Sequence, residues 1–183
     1  MKRPENTNRT SDTALLMLSG LFAALTAICS WININLPFTP VPINLALIGP
    51  YMAGLILGSK YGALSQIVYV LLGILGIPVF AGFTSGAGVL AGPTGGFIIG
   101  YILCALICGL PMRTRNSSSR FLLMISGLFT CYTCGLLWFI ISTGTPFYAA
   151  VTACVLPFLP GDAVKIISTA ILVKYISKVP MPN

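Results

Sequence analysis

The sequence predicts an all-α integral membrane protein with six transmembrane helices and both termini in the cytoplasm. Hydrophobic residues make up 56% of the 183 positions and charged residues 7%, whereas soluble domains average about 25% charged residues. Apolar runs recur about six times between Ala14 and Ser177, and a helix needs about 20 apolar residues to cross a bilayer. Every second polar break between these runs carries basic residues, and the breaks between them carry none.

The chain reads as one membrane domain with two short tails. We expect residues 1–12 to form a polar cytoplasmic tail, residues 13–178 the six-helix domain, and residues 179–183 a C-terminal tail. The tail at the N-terminus is too polar for a signal peptide. The length between the tails leaves no room for a second domain.

The first span, residues 13–31, carries a stripe of small residues. Ser19, Ala23 and Ala27 recur at four-residue spacing, and Gly20 and Ala24 each lie one residue further along the helix. Such a stripe lets another helix approach closely in a membrane. The partner helix belongs either to this chain or to another protein, and the pattern does not decide between them.

A proline-rich break separates the first two spans. Residues 33–44 include three prolines within six positions, which cannot continue a helix and favour extended backbone. Span two covers about residues 45–58 and is short. Span three, about residues 61–77, contains Gln66, a polar side chain that must face protein, water or a ligand rather than lipid.

A long glycine-rich segment, residues 78–96, follows span three. Irregular backbone at membrane depth is tolerated only where protein buries it or where it lines a cavity, so we expect a re-entrant or capping loop. Spans four and five cover about residues 97–110 and 121–142. After a further apolar stretch at residues 147–159, span six covers about residues 160–178.

The basic residues support this orientation. With the N-terminus inside, the cytoplasmic tails and breaks contain nine of the ten Lys and Arg residues, and the three outer loops contain none. Cytoplasmic loops of membrane proteins carry an excess of Lys and Arg. The exception is Lys165, near the start of span six on the outer side.

Lys165 has a potential partner in Asp162, three residues earlier and on the same helical face. A charge in the bilayer costs about 2.5–3.5 kcal/mol on insertion scales, so the pair needs a protein or aqueous environment. It is either a structural ion pair or part of a site in which the ammonium receives the carboxylate of a polar solute. Aromatic side chains near the outer face could supply the walls of that site: Phe38, Phe80, Phe83 and Phe158.

Several other functions find no support in the residues. The chain has no histidine and no phosphate-binding loop motif, and the Cys131/Cys134 pair lies in an apolar run without further ligands. We therefore expect no catalysis, no metal and no cofactor. The net charge of +7 follows the bilayer orientation and does not indicate nucleic-acid binding.

Four segments resemble the signature segments of the BioY family. They are residues 37–42 (PFTPVP), 76–82 (GIPVFAG), 92–96 (GPTGG), and 157–162 (PFLPGD) followed by Lys165. They occur in the family's order and span nearly the whole membrane portion. BioY proteins are the biotin-specific substrate-capture (S) components of energy-coupling-factor (ECF) transporters in bacteria.

The resemblance implies a fold, a location and a set of roles. The S-component fold has six helices in the cytoplasmic membrane and binds biotin beneath the outer loops, with Asp162 and Lys165 taking part. Of these two, we expect Lys165 to anchor the biotin carboxylate. Asp162 either orients the Lys165 side chain, which is the favoured role, or receives a proton from the ureido group or from water. The small-residue face of the first helix, here Ala23 and Ala27, docks onto the transmembrane T component, which carries two ATPase subunits.

Other side chains are candidates for contacts to biotin. Candidates for hydrogen bonds to the ureido ring are Asn44, Thr84 and Ser85, and the wider set of candidate contacts adds Thr39, Phe80, Phe83 and Gln66. The leading hypothesis is high-affinity biotin capture for an ECF transporter. The alternatives are a carrier that works alone, as a facilitator or a homo-oligomer without an energising module, and a membrane enzyme, for which no acid, base or metal constellation is visible.

Overall fold

The computed structural model of the chain describes residues 6–176 apart from positions 36, 38 and 112–115. Phe38, the C-terminal tail and the end of span six lie outside the described residues. The elements in chain order are α1 (Asn6–Trp31), β1 (Asn33–Ile34), β2 (Ile43–Asn44), α2 (Ile48–Ile74), a 3₁₀ turn (Ala81–Phe83), α3 (Ala87–Ala91), α4 (Gly95–Cys108), α5 (Ser117–Thr143), α6 (Phe147–Cys154) and α7 (Leu159–Ile176). The predicted helical membrane class is confirmed, and α1 extends into the stretch predicted as a tail.

The helix α2 is two helices joined at Gly58. The backbone there has φ 80° and ψ 177°, which is not helical. A Cβ placed on Gly62 would lie 2.8 Å from the Cα of Gly54, although residues eight apart in a straight helix are separated by about 12 Å. The chain therefore reverses at Gly58, and α2 forms a first arm (48–57) and a second arm (59–74) that pack against each other.

This reversal brings the helix count to six. By length and composition, three helices of the described chain are long and apolar enough to cross a membrane, and α6 with α7, bent by 48°, makes a fourth candidate. Since α2 contributes two arms and α4 is a shorter apolar helix, the six predicted spans correspond to α1, the two arms of α2, α4, α5 and α7. The helix α6 lies in the further apolar stretch predicted at residues 147–159.

Small residues let these helices approach closely. A Cβ placed on Gly54 would lie 2.4 Å from the carbonyl oxygen of Ala105, and one placed on Gly127 would lie 2.9 Å from the sulfur atoms of Cys104 and Cys108. The helix α4 thus packs tightly between α2 and α5. The two cysteines are buried there and fill space as small hydrophobic residues.

One end of the bundle gathers polar and basic groups. The Tyr61 hydroxyl donates to Asp12 at 2.7 Å, and the Ser59 hydroxyl donates to the carbonyl oxygen of Leu106 at 2.8 Å, so the starts of α1 and of the second arm meet the end of α4. Leu15 packs with Val173 of α7 in one cluster at this end. The first described turns of α1 and the end of α7 therefore share this end, as two cytoplasmic termini require.

The opposite end contains the loops. The proline-rich break forms a narrow hairpin in which Asn33 pairs with Asn44 and Ile34 with Ile43, antiparallel. An all-α prediction missed these strands because each is two residues long. The glycine-rich segment also contains the short helix α3, within the stretch predicted as an irregular loop.

The Gly58 turn gives the first testable prediction. A backbone with φ near +80° and ψ near 180° is accessible essentially to glycine alone, and other residues there cost about 1–3 kcal/mol. Gly58→Ala should lower the stability of the purified protein by that amount, measured as thermal unfolding in detergent. Gly20→Ala is the matched control, because no atom lies within 4 Å of its added Cβ and alanine favours a helix. Equal stability of the two variants would contradict the reversal at Gly58.

Candidate functional site

A cavity of about 430 Å³ lies beneath the loops, within the roughly 300–1,000 Å³ typical of small-molecule sites. Its walls are largely apolar, with a limited number of polar groups. The main apolar lining residues are Val41, Leu47, Phe80, Val89, Phe97, Ile98 and Phe158. The polar ones are Ser30, Asn35, Asn44, Tyr69, Thr84, Thr94, Tyr101, Tyr132, Asp162 and Lys165.

The short first arm of α2 makes room for this cavity. Residues 48–57 extend about 15 Å along a helix axis, half of the roughly 30 Å of hydrocarbon. The chain enters this arm from the end of the hairpin, where the backbone N–H of Leu45 donates to the carbonyl oxygens of Cys29 and Ile32. Non-helical backbone at that depth is acceptable because it lines a cavity and bonds to protein.

Both tryptophans of the chain hold the glycine-rich segment in place. The Trp31 indole N–H donates to the carbonyl oxygen of Pro78 at 2.8 Å, and that of Trp138 donates to the carbonyl oxygen of Gly92 at 3.0 Å. These bonds attach the two ends of the segment to α1 and α5. Within it, Phe80 packs edge-on against Tyr69 with ring centroids 5.6 Å apart and closes one side of the cavity.

The only two charged side chains among the described lining residues are Asp162 and Lys165. Asp162 lies in the first turn of α7, where the helix dipole stabilises a negative charge. The Lys165 ammonium donates to Asp162 Oδ1 at 2.6 Å. Their side chains are 1% and 4% exposed, so this ion pair is almost completely removed from solvent.

Tyr132 of α5 completes this polar cluster. Its hydroxyl donates to Asp162 Oδ2, so each carboxylate oxygen receives one donor from the protein. Within the described chain, the Nζ of Lys165 has hydrogen-bonding capacity beyond its bond to Asp162, since an ammonium has three donors. The cluster therefore presents both N–H donors and carboxylate acceptors to the cavity while carrying no net charge.

Five of the nine predicted ligand contacts line the cavity. These are Lys165, Asp162, Asn44, Phe80 and Thr84, and the predicted wall Phe158 joins them. The Asn44 side-chain oxygen accepts from the backbone N–H of Ala46 at 3.1 Å, so the hairpin end fixes its orientation. The sequence thus identified both loops that line the cavity and the charged start of α7.

Three other predicted contacts in the loops lie outside this lining. Thr39 is buried, and its hydroxyl accepts from the backbone N–H of Val41 at 3.2 Å. Phe83 is 62% exposed and stacks on Trp31, with ring centroids 4.9 Å apart. Ser85 is half-buried and lines no part of the cavity. Thr39 and Phe83 thus have clear roles in holding the loops together.

Gln66 also lies outside the cavity lining. It is fully buried and donates to Thr26 Oγ1 at 3.1 Å and to Ser65 Oγ at 3.0 Å. The Gln66 side chain therefore faces protein, rather than water or a ligand. The amide links the second arm of α2 to α1, as polar side chains commonly link helices in membranes.

The small-residue stripe of α1 is divided between two faces. Ala23 and Ala27 are 1% and 5% exposed, so they pack within the chain, which is the intramolecular alternative. This corrects the expectation that they form an outward docking face. Gly20 and Ala24, one step round, are exposed instead.

Tyr132 is the main cavity residue that was not predicted from the sequence. It lies between Cys131 and Cys134 in an apolar run, where no neighbouring charge marks it. A useful signal was available: a polar aromatic group in an apolar span needs a hydrogen-bond partner when buried. Tyr69 and Tyr101, in other apolar spans, carry the same signal and also line the cavity.

The sequence pattern of the BioY family matches residues 3–180 of the chain. The chain belongs to the BioY family. A biotin transporter BioY from Thermotoga maritima is 36% identical over 169 residues, covering 89% of this chain and 95% of the relative. A probable biotin transporter BioY from Pyrococcus horikoshii is 40% identical over 156 residues, covering 85% and 91%.

A solved structure agrees with the fold. It is the crystal structure of the S-component for biotin from an ECF-type ABC transporter, with a TM-score of 0.87, 26% identity, and coverage of 99% of this chain and 97% of that one. The predicted family and fold are therefore confirmed. The family consists of transport proteins rather than enzymes, and its multi-pass location in the cytoplasmic membrane agrees with the apolar helices described above.

Proposed function

We propose that this BioY protein captures biotin at the outer face of the cytoplasmic membrane, as the substrate-binding subunit of an ECF-type transporter. The observation that carries the proposal is the cavity beneath the outer loops, with its buried Asp162–Lys165 pair. Support comes from the relatives named as biotin transporters and from the solved biotin S-component. Apolar walls suit the ring system of biotin, and a few convergent polar groups suit its ureido group.

We propose a different role for Lys165 from the one expected from the sequence. Asp162 already neutralises the ammonium, and both side chains are nearly completely buried. A biotin carboxylate placed there would bring a second negative charge beside Asp162, and burying an uncompensated charge is costly. A ureido group is neutral and offers N–H donors and a C=O acceptor, which match Asp162 and Lys165.

The biotin tail then points towards the loops. The hairpin and the glycine-rich segment contain no Lys or Arg, so water and the polar groups near the mouth receive the carboxylate. Asn35 and Thr84 are exposed residues that also line the cavity. In this orientation the ring system occupies the deep part of the cavity and the charged tail stays hydrated.

We further propose that transport requires a T component and ATPase subunits. The chain has no phosphate-binding loop motif, so any ATP-derived energy must come from partners. The outward small residues Gly20 and Ala24 on α1, flanked by the exposed Met17 and Leu21, offer a flat apolar surface on which a transmembrane partner helix could pack. This surface replaces Ala23 and Ala27 as the docking candidate.

The charged pair gives a direct binding prediction. Asp162→Asn and Lys165→Met should each weaken biotin binding by about 100-fold, because each removes a charge-assisted hydrogen bond worth about 1.5–3 kcal/mol. Isothermal titration with the purified chain in detergent measures the effect. The double variant removes both charges together and avoids leaving one charge buried alone.

Lys60→Ala is the matched control for this experiment. It removes one positive charge at the opposite end of the bundle, where Lys60 lies over the Tyr61 ring, and should leave biotin affinity unchanged. If both pair variants and the control bind biotin equally well, the pair does not contact the ligand.

The orientation of biotin has its own test. Biotin amide keeps the ureido ring but lacks the negative charge of the tail. If the pair binds the ureido group, biotin and biotin amide should differ in affinity for the unsubstituted chain by less than about threefold, under 1 kcal/mol. A loss of about 100-fold for the amide, abolished by Lys165→Met, would instead place the carboxylate on Lys165.

Dependence on partner subunits can be measured as uptake. Radiolabelled biotin should enter cells that lack T and ATPase subunits only at the background rate when this chain is expressed alone, and faster once those subunits are added. Ala24→Trp should abolish the gain without changing biotin affinity, because a large side chain prevents close helix approach.

The control for docking is Leu122→Trp, at a 56% exposed position on α5, which should support full uptake. Equal uptake with and without the added subunits would identify a carrier that works alone.

A further inference from the structure

We infer that Tyr132 is a positioning residue for ligand binding: its hydroxyl holds the Asp162 carboxylate in the orientation that receives a ureido N–H. This inference rests on the proposed function and deepens it, since it assigns to α5 a part in ligand affinity. The inference rests on the hydrogen-bonded cluster of Tyr132, Asp162 and Lys165.

The two oxygens of the Asp162 carboxylate accept hydrogen bonds from different donors. Tyr132 donates to Oδ2 and Lys165 donates to Oδ1. Each carboxylate oxygen has two acceptor positions, so one position on each oxygen remains for a ligand. Tyr132, Asp162 and Lys165 all line the cavity, which makes those positions candidates for contact with a bound molecule.

Tyr132 also ties two helices together at the site. The hydrogen bond from Tyr132 to Asp162 joins α5 to α7. It reaches α7 in its first turn, after the chain has bent by 48° from α6. The hydroxyl thus fixes the position of the helix start that carries both charged groups.

Loss of the hydroxyl would change the carboxylate's partners. Asp162 is 1% exposed, and a buried carboxylate with an unsatisfied oxygen is unfavourable. The nearest remaining donor is the Lys165 ammonium, which can turn towards both oxygens. That rearrangement would occupy acceptor positions otherwise free for the ligand, and it would draw the ammonium away from the ureido oxygen.

The experiment is a double-mutant cycle on biotin affinity, measured with the full chain in detergent. Tyr132→Phe keeps the ring and removes the hydroxyl, and should raise the Kd for biotin about tenfold. In the Asp162→Asn background the same change should alter the Kd by less than about threefold, because the carboxylate it positions is gone. Tyr148→Phe, at an 81% exposed position, should leave the Kd unchanged.

The outcomes separate positioning from a purely structural role. A structural role would lower the unfolding temperature of Tyr132→Phe and leave the Kd of the folded protein unchanged, which overturns the inference. A tenfold effect in both backgrounds also overturns it, because Tyr132 would then act independently of Asp162. Biotin binding by the unsubstituted chain with no effect of Tyr132→Phe overturns this inference alone, whereas no biotin binding at all overturns the proposed function as well.

Discussion

The buried ion pair between Asp162 and Lys165 is the constraint around which the site is built. Two opposite charges so far from solvent persist only if they neutralise each other and find further hydrogen bonds. Here the pair is supported by the Tyr132 hydroxyl and by the start of α7, where the helix dipole favours Asp162. The cavity therefore contains strong donors and acceptors without net charge, a combination that suits a polar but neutral ligand group.

The rest of the outer end serves to enclose that pair. The hairpin and the glycine-rich segment have little regular structure of their own, and they are held by bonds to the helices. Trp31 and Trp138 fasten the glycine-rich segment at its two ends, and the stacking of Phe83 on Trp31 adds an aromatic contact. Loops organised in this way can cover an apolar cavity while exposing few unsatisfied backbone groups.

The sequence predicted the helices and the two charged residues well because both follow from simple constraints. Apolar runs must be helical in a bilayer, and a lone basic residue on the outer side of a positive-inside pattern stands out. The same reasoning found Gln66 but not its partners, since burial against Thr26 and Ser65 depends on how two helices are rotated. Likewise, the four-residue spacing of small residues could not show which side of α1 faces inward, and the choice of Ala23 and Ala27 rested on the family resemblance alone.

The length of the first α2 arm has a consequence for how such a scaffold can change its specificity. The arm covers residues 48–57 before the reversal at Gly58, and the number of its residues is one factor that sets the depth left above it. One added or deleted helical turn would change that depth by about 5.4 Å. A change in the length of this arm would therefore alter the depth of the cavity independently of the side chains that line it.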